Sequence, residues 1–266
     1  MLDTFRRNIN YLRVSVTDRC NLRCTYCMPE EGIKLMKHED ILSFDEIIEV
    51  VKKAVELGID KVRITGGEPL VRKGIISLVK QISMIEGITD FGLTTNGILL
   101  EDFAVELRKA GLHRLNISLD TVDSDEFAKI TRGGDINRVF RGIERAVTAG
   151  FDNIKLNTVI DSSPYEQNAA GVTEFARKNG FQIRYIRKMD LKKGKFWEVD
   201  GGEGGKCGSC NRLRISANGI VTPCLFSDIG YSVRELGIEK ALTSAINSKP
   251  EKGIMSKSHQ FYNLGG

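Results

Sequence analysis

The stretch Tyr11-Leu-Arg-Val-Ser-Val-Thr-Asp-Arg-Cys-Asn-Leu-Arg-Cys-Thr-Tyr-Cys27 joins a short apolar run to three closely spaced cysteines. The run from 11 to 16 has the length and composition that predict a first β-strand. Cys20, Cys24 and Cys27 follow it directly, with the spacing C-x3-C-x2-C. The chain therefore places a set of potential metal ligands in the loop after its first predicted strand.

Short apolar runs alternate with segments of helical period from this strand to residue 187. The first helix is predicted over 44–57, with Ser43 as its N-cap and Gly58 as its C-terminal stop. Further strands are predicted over 61–65, 91–95, 112–119, 153–159 and 182–187, and further helices over 75–85, 101–110, 137–149 and 171–179. Six strands, most of them followed by a helix, predict an α/β fold with a parallel sheet. Since eight such units would close a full barrel, six predict a partial, six-unit β/α barrel.

The loops after four of these strands carry the residues that are best suited to chemistry. The first cysteine triplet follows the first strand, Gly66-Gly-Glu-Pro69 the second, Thr95-Asn-Gly97 the third and Asp120-Thr121 the fourth. In barrels of this kind the active site lies beyond the carboxyl ends of the strands. The sequence therefore predicts one site at that end of the sheet.

After Asp190 the pattern changes. Residues 192–205 are rich in lysine and glycine, which predicts a linker. A second triplet, Cys207-x2-Cys210-x13-Cys224, then opens the C-terminal segment. We predict a partial barrel over 1–190, followed by a linker and a C-terminal iron-sulfur segment over 191–266.

The two triplets account for all six cysteines of the chain. A four-iron cluster normally takes one thiolate per iron, so a site with three cysteines leaves one iron open for another ligand. The triplets therefore predict two [4Fe-4S] clusters, one on Cys20, Cys24 and Cys27 and one on Cys207, Cys210 and Cys224. Disulfides would suit a short secreted protein better. Zinc at the second triplet is an alternative, although a fourth cysteine is absent and His38, His113 and His259 lie far from both triplets in sequence.

Composition narrows the possible partners. The chain has 266 residues, 39 basic and 35 acidic, with a net charge of +4, which permits an anionic small substrate. Long basic runs with interleaved aromatics are absent, so no nucleic-acid partner is predicted. No apolar stretch is long enough to span a membrane, and residues 1–10 are too charged for a secretory signal. Because the clusters need reduced thiolates, we expect a cytoplasmic protein.

The segment from Ser15 to Pro29 resembles the signature of the radical S-adenosylmethionine enzymes. The resemblance implies that the open iron of the first cluster binds S-adenosylmethionine, which is cleaved to a 5'-deoxyadenosyl radical. Gly66-Gly67-Glu68-Pro69 resembles the cofactor-binding motif of the same superfamily. By this resemblance the S-adenosylmethionine contacts are Tyr26, Gly66, Gly67, Glu68, Thr95, Asn96, Ser118 and Met189.

Within that superfamily the chain resembles the molybdenum cofactor biosynthesis protein A family, the GTP 3',8-cyclases. The likeness is carried by residues 12–20, 63–70, 93–97, 116–120 and 207–226, and by the terminal Gly265-Gly266. It implies that the second cluster binds the guanine of GTP and that basic side chains hold the triphosphate. These are Arg13, Lys61, Arg63, Lys155, Arg184, Arg212 and Arg214. Several cations that point into one cavity need an anion there.

The resemblance also implies the reaction and its partners. The radical abstracts the 3' hydrogen of the ribose, and the resulting carbon radical attacks C8 of guanine. Arg13 is expected to act catalytically by donating to the intermediate, and the diglycine tail to reach into the active site. A reductant would supply electrons, and a downstream enzyme would consume the cyclised precursor of molybdopterin.

One departure from the family pattern leaves alternatives open. The connection from Tyr185 to Lys206 lacks the several tens of residues that family members usually carry before the second triplet. The alternative is a related radical enzyme whose auxiliary cluster serves another substrate, such as a peptide. A non-catalytic iron-sulfur or zinc protein is a third interpretation.

Overall fold

The computed structural model describes residues 1–258 and 261–264. Its strands are β1 (Tyr11–Ser15), β2 (Lys61–Thr65), β3 (Asp90–Thr95), β4 (Arg114–Ser118), β5 (Ile154–Ile160), β6 (Gln182–Arg187), β7 (Arg212–Ile215), β8 (Ile220–Thr222) and β9 (Tyr231–Ser232). Its α-helices are α1 (Phe44–Glu56), α2 (Ile75–Ser83), α3 (Leu100–Lys109), α4 (Ser124–Thr131), α5 (Ile136–Thr148), α6 (Gln167–Asn179), α7 (Val233–Leu236), α8 (Ile238–Asn247) and α9 (Phe261–Leu264).

The described strands form a single sheet in the order β6-β5-β4-β3-β2-β1-β7-β8-β9. Strands β1 to β6 pair in parallel with their neighbours in chain order. One or two helices connect each pair of these strands. This arrangement confirms the predicted α/β fold built on six parallel β/α units.

Local sequence explains the helix boundaries. Ser43 caps α1, since its side chain accepts from the backbone N–H of Glu46 and the Glu46 carboxylate accepts from the N–H of Ser43. Helix α4 was absent from the sequence prediction because it spans only Ser124–Thr131 and buries just two residues. Asp123, which caps it by accepting from the N–H of Glu126, was the available signal.

The two faces of the sheet differ in polarity. Alternate residues of a strand point to the same face, and one face carries the buried apolar side chains of Leu12, Val62, Leu93, Leu115 and Leu156. These side chains pack in one core with apolar residues of the helices, among them Ile47, Leu78, Leu107 and Val139. The opposite face, called the polar face below, carries Arg13, Arg63, Asn116 and Arg184.

The C-terminal segment continues the same sheet. Strand β7 pairs in parallel with β1, and β8 and β9 follow in antiparallel. Residues 188–206 form no helix and no strand longer than an isolated bridge. The division of the chain at residue 190 stays a prediction. No helix within residues 1–258 and 261–264 is long and apolar enough to cross a membrane.

Candidate active site

Strand register brings the predicted substrate-binding cations together on the polar face. Arg13 of β1 lies beside Arg63 of β2 on one side and Arg214 of β7 on the other. Lys61 and Arg212 both pair with Tyr11, which lies two residues before Arg13 and therefore on the same face. Lys155 pairs with Asn116, and Arg184 pairs with Asn157. All seven predicted cations therefore lie on one face of the sheet.

These cations are partly or fully buried, and several of their buried donors have no partner among the described residues. Arg63 is only 1% exposed. Among the described residues, the Nε and Nη1 atoms of Arg63 and the Nε atoms of Arg114, Arg184, Arg212 and Arg214 find no hydrogen-bond acceptor. A buried donor without an acceptor costs about 1–3 kcal/mol, and more when it is charged. The polar face is therefore built for a ligand that accepts several hydrogen bonds and carries negative charge.

Neutral polar side chains on the same face are also unsatisfied. The Ser15 and Thr94 hydroxyls and the Oδ1 atoms of Asn116 and Asn157 are buried and have no partner within the described part of the chain. Buried polar atoms are normally paired. Their occurrence on the face that carries the cations indicates that a ligand satisfies them together.

Arg13 remains a cation in this setting. Burial lowers the pKa of its guanidinium to about 9 against the opposing effect of Tyr11, and the neighbouring Arg214 and Arg63 lower that pKa further. The value is still above neutral pH, so Arg13 stays protonated. Burial opposes the ionisation of Tyr11, but Arg63, Arg13 and other cations outweigh it and lower the pKa of the phenol.

Arg114 belongs to this group, although the sequence prediction omitted it. It ion-pairs with Asp90 of β3. Burial lowers the pKa of the Arg114 guanidinium, and the neighbouring Arg63 lowers it further, while Asp90 opposes the shift. Gly92 makes this crowding possible, because a Cβ atom there would lie 3.1 Å from Arg114 Cγ and 3.2 Å from Arg63 Cζ. The alternation of Arg114 and Asn116 with the buried Leu115 and Ile117 was the signal that placed it on the polar face.

The Glu68 side chain is the centre of the hydrogen bonds that join the loop after β2 to the loop after β3. It accepts from the Thr95 hydroxyl at 2.8 Å and from the backbone N–H groups of Asn96 and Leu70 at 2.7 and 3.1 Å. Burial raises the pKa of its carboxyl to about 7, although these hydrogen bonds oppose the shift. Glu68 is thus poised between its acid and its carboxylate near neutral pH.

Asn96 connects this centre to the first cysteine triplet. Its Nδ2 atom donates to Asn21 Oδ1 at 2.8 Å and lies 3.7 Å from Cys20 Sγ. The backbone N–H of Leu22 also points at Cys20 Sγ, at 3.4 Å. Donors of this kind are typical around the sulfur ligands of iron-sulfur clusters, whose potential they tune.

The glycines of the Gly66-Gly67-Glu68-Pro69 loop also allow close packing between this loop and the cysteine loop. The backbone N–H of Gly67 donates to Thr17 O and that of Glu68 to Arg19 O, each at 2.8 Å. A Cβ atom on Gly66 would lie 2.6 Å from Thr17 O, and one on Gly67 would lie 2.3 Å from Arg19 O. Close packing against the cysteine loop therefore requires glycine at both positions.

The first triplet presents free thiols in a partly buried loop. Burial raises the pKa of Cys24 to about 12, with further effects from Asp120 and the neighbouring cysteines, and it raises the pKa of Cys27 to about 11. No three His, Cys, Asp or Glu side chains of residues 1–258 and 261–264 are close enough to share one metal ion. An iron-sulfur cluster instead takes one thiolate on each of several irons.

The structure places the other predicted cofactor contacts in three settings. Tyr26 donates from its hydroxyl to Asp120 Oδ2 at 2.6 Å, and Asp120 Oδ1 accepts from Val159 N. Ser118 ends β4 on the polar face, opposite Asn157. Met189 packs against a small apolar cluster of the C-terminal segment, formed by Leu191, Leu225, Phe226 and Leu264. Gly265 and Gly266 lie outside the described residues.

The second triplet lies at the opposite end of the sheet from the first. Cys210 precedes β7, whose direction is that of β1, whereas Cys20 follows β1. Cys224 follows β8, which runs antiparallel to β7 and so returns to the same end as Cys210. The cations of the polar face therefore occupy the region between the two triplets.

Cations surround the thiols of the second triplet. Arg212 Nη2 lies 3.7 Å from Cys210 Sγ. Burial opposes the ionisation of Cys210, but Lys249 and Arg212 outweigh it and lower the pKa of this thiol to about 6. Cys210 is thus a thiolate at neutral pH, the form that binds iron.

The chain matches proteins of known family over most of its length. The model of the radical SAM superfamily matches residues 14–163. A GTP 3',8-cyclase of Thermodesulfovibrio yellowstonii is 41% identical over 304 residues, which cover 97% of this chain and 93% of that protein. A GTP 3',8-cyclase of Alkaliphilus oremlandii is 38% identical over 314 residues, which cover 100% of this chain and 98% of that protein. Since the second alignment is longer than this chain, that relative carries residues that are absent here.

Solved structures are similar in fold. SuiB of Streptococcus suis bound to S-adenosylmethionine superposes with a TM-score of 0.66 at 16% identity, over 93% of this chain and 65% of SuiB. From the family model, the curated relatives and the parallel α/β sheet, we conclude that this chain belongs to the radical SAM superfamily and, within it, to the GTP 3',8-cyclase family.

Proposed function

We propose that this protein is a radical S-adenosylmethionine GTP 3',8-cyclase, which converts GTP to the cyclised nucleotide precursor of molybdopterin. One observation carries the proposal: arginines with buried, unsatisfied donor atoms lie on a single face of the sheet, between two triplets of free cysteines. GTP supplies the several negative charges that such a face requires. The names of the curated relatives support the same activity.

We assign a [4Fe-4S] cluster and S-adenosylmethionine to the end of the sheet where β1 terminates. Cys20, Cys24 and Cys27 would hold the cluster, which together with the bound cofactor supplies a 5'-deoxyadenosyl radical. Glu68, at the centre of its hydrogen bonds, is a suitable acceptor for the amino group of the methionine moiety, and the joined loops orient it. Tyr26, Gly66, Gly67, Thr95, Asn96, Ser118 and Met189 complete the proposed cofactor contacts.

We assign a second [4Fe-4S] cluster to Cys207, Cys210 and Cys224, with the guanine of GTP on its open iron. The residues fit this group, since the three thiols are free and Cys210 is ionised at neutral pH. The cationic setting also offsets the negative charge that thiolates bring to a cluster.

The cations of the polar face would hold the triphosphate and the ribose of GTP. The proposed contacts are Arg13, Lys61, Arg63, Lys155, Arg184, Arg212 and Arg214. Arg13 lies between Arg63 and Arg214 and remains protonated, so it is placed to donate to negative charge that develops during the reaction. We therefore assign it the catalytic role among these cations.

The proposed reaction also defines partners. A reductant must supply electrons to the first cluster, and a further enzyme of molybdopterin synthesis would take up the cyclised product. Both clusters would need reduced cysteines, which fits a cytoplasmic location. The proposed partial barrel over 1–190 would carry the radical chemistry, and 191–266 would carry the second cluster.

Anaerobic turnover tests the proposal. The reconstituted protein is incubated with S-adenosylmethionine, a strong reductant and GTP, and the products are identified by mass spectrometry. We expect 5'-deoxyadenosine and cyclised GTP, both dependent on GTP. Production of 5'-deoxyadenosine without cyclised GTP would overturn the substrate assignment, and formation of neither product would overturn the radical mechanism.

A further inference from the structure

Arg7 is a buried cation that the proposed reaction does not use. It forms an ion pair with Asp3, with 2.6 Å between Nε and Oδ2. Its Nη1 atom donates to the carbonyl of Cys207 at 2.9 Å, and its Nη2 atom donates to Pro250 O at 2.8 Å. Arg7 therefore fixes the first cysteine of the second triplet to a segment 200 residues away in sequence.

Lys249 is a second such cation, and it is only 3% exposed. Its Nζ atom donates to Arg212 O at 2.7 Å and to Pro223 O at 2.6 Å. Arg212 lies two residues after Cys210, and Pro223 directly precedes Cys224. A single ammonium group thus joins the backbone beside the second cysteine to the backbone beside the third.

The charge of Lys249 acts on the same thiols. Burial lowers the pKa of the Lys249 ammonium, and the neighbouring Cys210 and Cys224 oppose that shift. The two cations are also linked to each other, because Arg7 Nη2 lies within 3.5 Å of the Lys249 carbonyl. A buried ammonium is costly unless its hydrogen bonds and its charge are compensated. The two carbonyls accept its hydrogen bonds, and the thiolates of a bound cluster would supply the opposite charge.

We propose that Lys249 is a positioning residue of the second cluster, which holds Cys210 and Cys224 through neighbouring carbonyls and raises the midpoint potential of the cluster by its charge. This inference rests on the proposed second cluster. Groups outside the ligand set orient the ligands, and their loss typically costs about 10–100-fold in metal affinity. Net charge and hydrogen bonds near the sulfurs set the potential of a cluster, and a nearby cation stabilises its more negative, reduced form. Arg7 supports Cys207 in the same way.

The test uses the full chain with Cys20, Cys24 and Cys27 replaced by alanine, so that only the second triplet can carry a cluster. In this background Lys249→Met removes the charge at similar length, Lys249→Arg keeps it, and Lys240→Met on the exposed side of α8 is the matched control. Iron content, the rate of iron loss to a chelator and an EPR-monitored redox titration are measured for each variant.

We expect Lys249→Met to lose iron at least about tenfold faster than its parent and to show a more negative midpoint potential. Lys249→Arg should keep a potential near that of the parent, and Lys240→Met should change neither quantity. Equal potentials in the parent and Lys249→Met would overturn the inference. If Lys249→Met fails to fold, the Lys249→Arg variant decides. A midpoint potential in Lys249→Arg that is clearly more negative than that of the parent would also overturn the inference. A parent that binds no iron would instead refute the proposed second cluster itself.

Discussion

Arg63 is a buried cation that is expected to lower the stability of the ligand-free protein and to bind the proposed substrate. Its guanidinium is buried on the polar face, and two of its donors find no acceptor among the described residues. Replacing buried charges by apolar side chains of similar volume is often neutral or stabilising, by about 1–4 kcal/mol. We therefore expect Arg63→Met to raise the free energy of unfolding of the GTP-free protein by about 1–4 kcal/mol while it weakens GTP binding at least about tenfold.

Chemical denaturation and GTP titration measure the two effects. Arg177→Met, which removes a surface arginine from α6, is the matched control, and it should change stability by less than about 0.5 kcal/mol. A destabilised Arg63→Met variant would mean that the guanidinium has acceptors in the ligand-free protein.

Glu68 gives a prediction about pH. Its carboxyl has an ordinary pKa of 4.5, and burial raises that pKa to about 7 in the folded protein. The folded state therefore holds the proton more tightly than the unfolded state does. This tighter proton binding stabilises the folded state fully below pH 4.5, and the stabilisation is lost as the pH rises through 7. The shift in pKa corresponds to about 3 kcal/mol in the free energy of unfolding.

Unfolding of the cofactor-free protein between pH 5 and pH 8 tests this sign. The wild type should lose stability relative to Glu68→Gln as the pH rises, because glutamine does not titrate. A difference between the two proteins that is constant with pH would show that Glu68 is ionised throughout the range.

At the level of residues, sequence motifs predicted the group of cations on the polar face but not the residues that hold the neighbouring backbone in place. The seven cations that are predicted to bind substrate share one face of the sheet, as a common site requires. Arg114 was missed because no motif contains it. Lys249 and Arg7 were missed because their contacts with the second triplet are made through backbone carbonyls 26 or more residues away, and sequence alone does not reveal such contacts.

At the level of elements, the loop after β2 depends on its contact with the cysteine loop. A methyl group on Gly67 would lie 2.3 Å from the carbonyl oxygen of Arg19, so Gly67→Ala must push the two loops apart. We expect a loss of about 1–3 kcal/mol in stability and a marked loss of S-adenosylmethionine affinity, with GTP binding retained.

Gly208→Ala is the matched control for cofactor binding, because an added Cβ there meets no atom within 4 Å. Calorimetric titration with S-adenosylmethionine compares the variants. Unchanged affinity in Gly67→Ala would show that the two loops move independently of the cofactor site.

The bounds of an element were predictable where an apolar run is clearly delimited in the sequence. Strands β2 and β6 have the bounds that their apolar runs predicted. Helix α6 begins at Gln167, four residues before its predicted start, because Ala169 is buried although the local apolar pattern is weak. The pairing of β7 with β1 was beyond prediction, since a strand of four residues after a linker carries no signal for its neighbour.

At the level of the whole molecule, that pairing tests the proposed division at residue 190. Removal of 191–266 would strip β7 from β1 and leave a hydrogen-bonding edge exposed. We expect the fragment 1–190 to aggregate or to unfold without a cooperative transition. Its solubility, size-exclusion profile and thermal melt, compared with those of the full chain, decide the matter. A monomeric fragment with a sharp melt would show that the barrel is an independent domain.

The position of β7 also has a consequence for biosynthesis. On the ribosome, β1 can pair early with β2, but its second partner, β7, is complete only when 215 of the 266 residues have been made. The loop that holds Cys20 is bound by Glu68, Asn96 and Thr131, which are all made well before the second triplet. The backbone beside Cys210 and Cys224 is held by Lys249, which is made near the end of the chain. We therefore expect iron to be loaded in a fixed order during maturation, with a nascent chain competent at the first triplet long before the second.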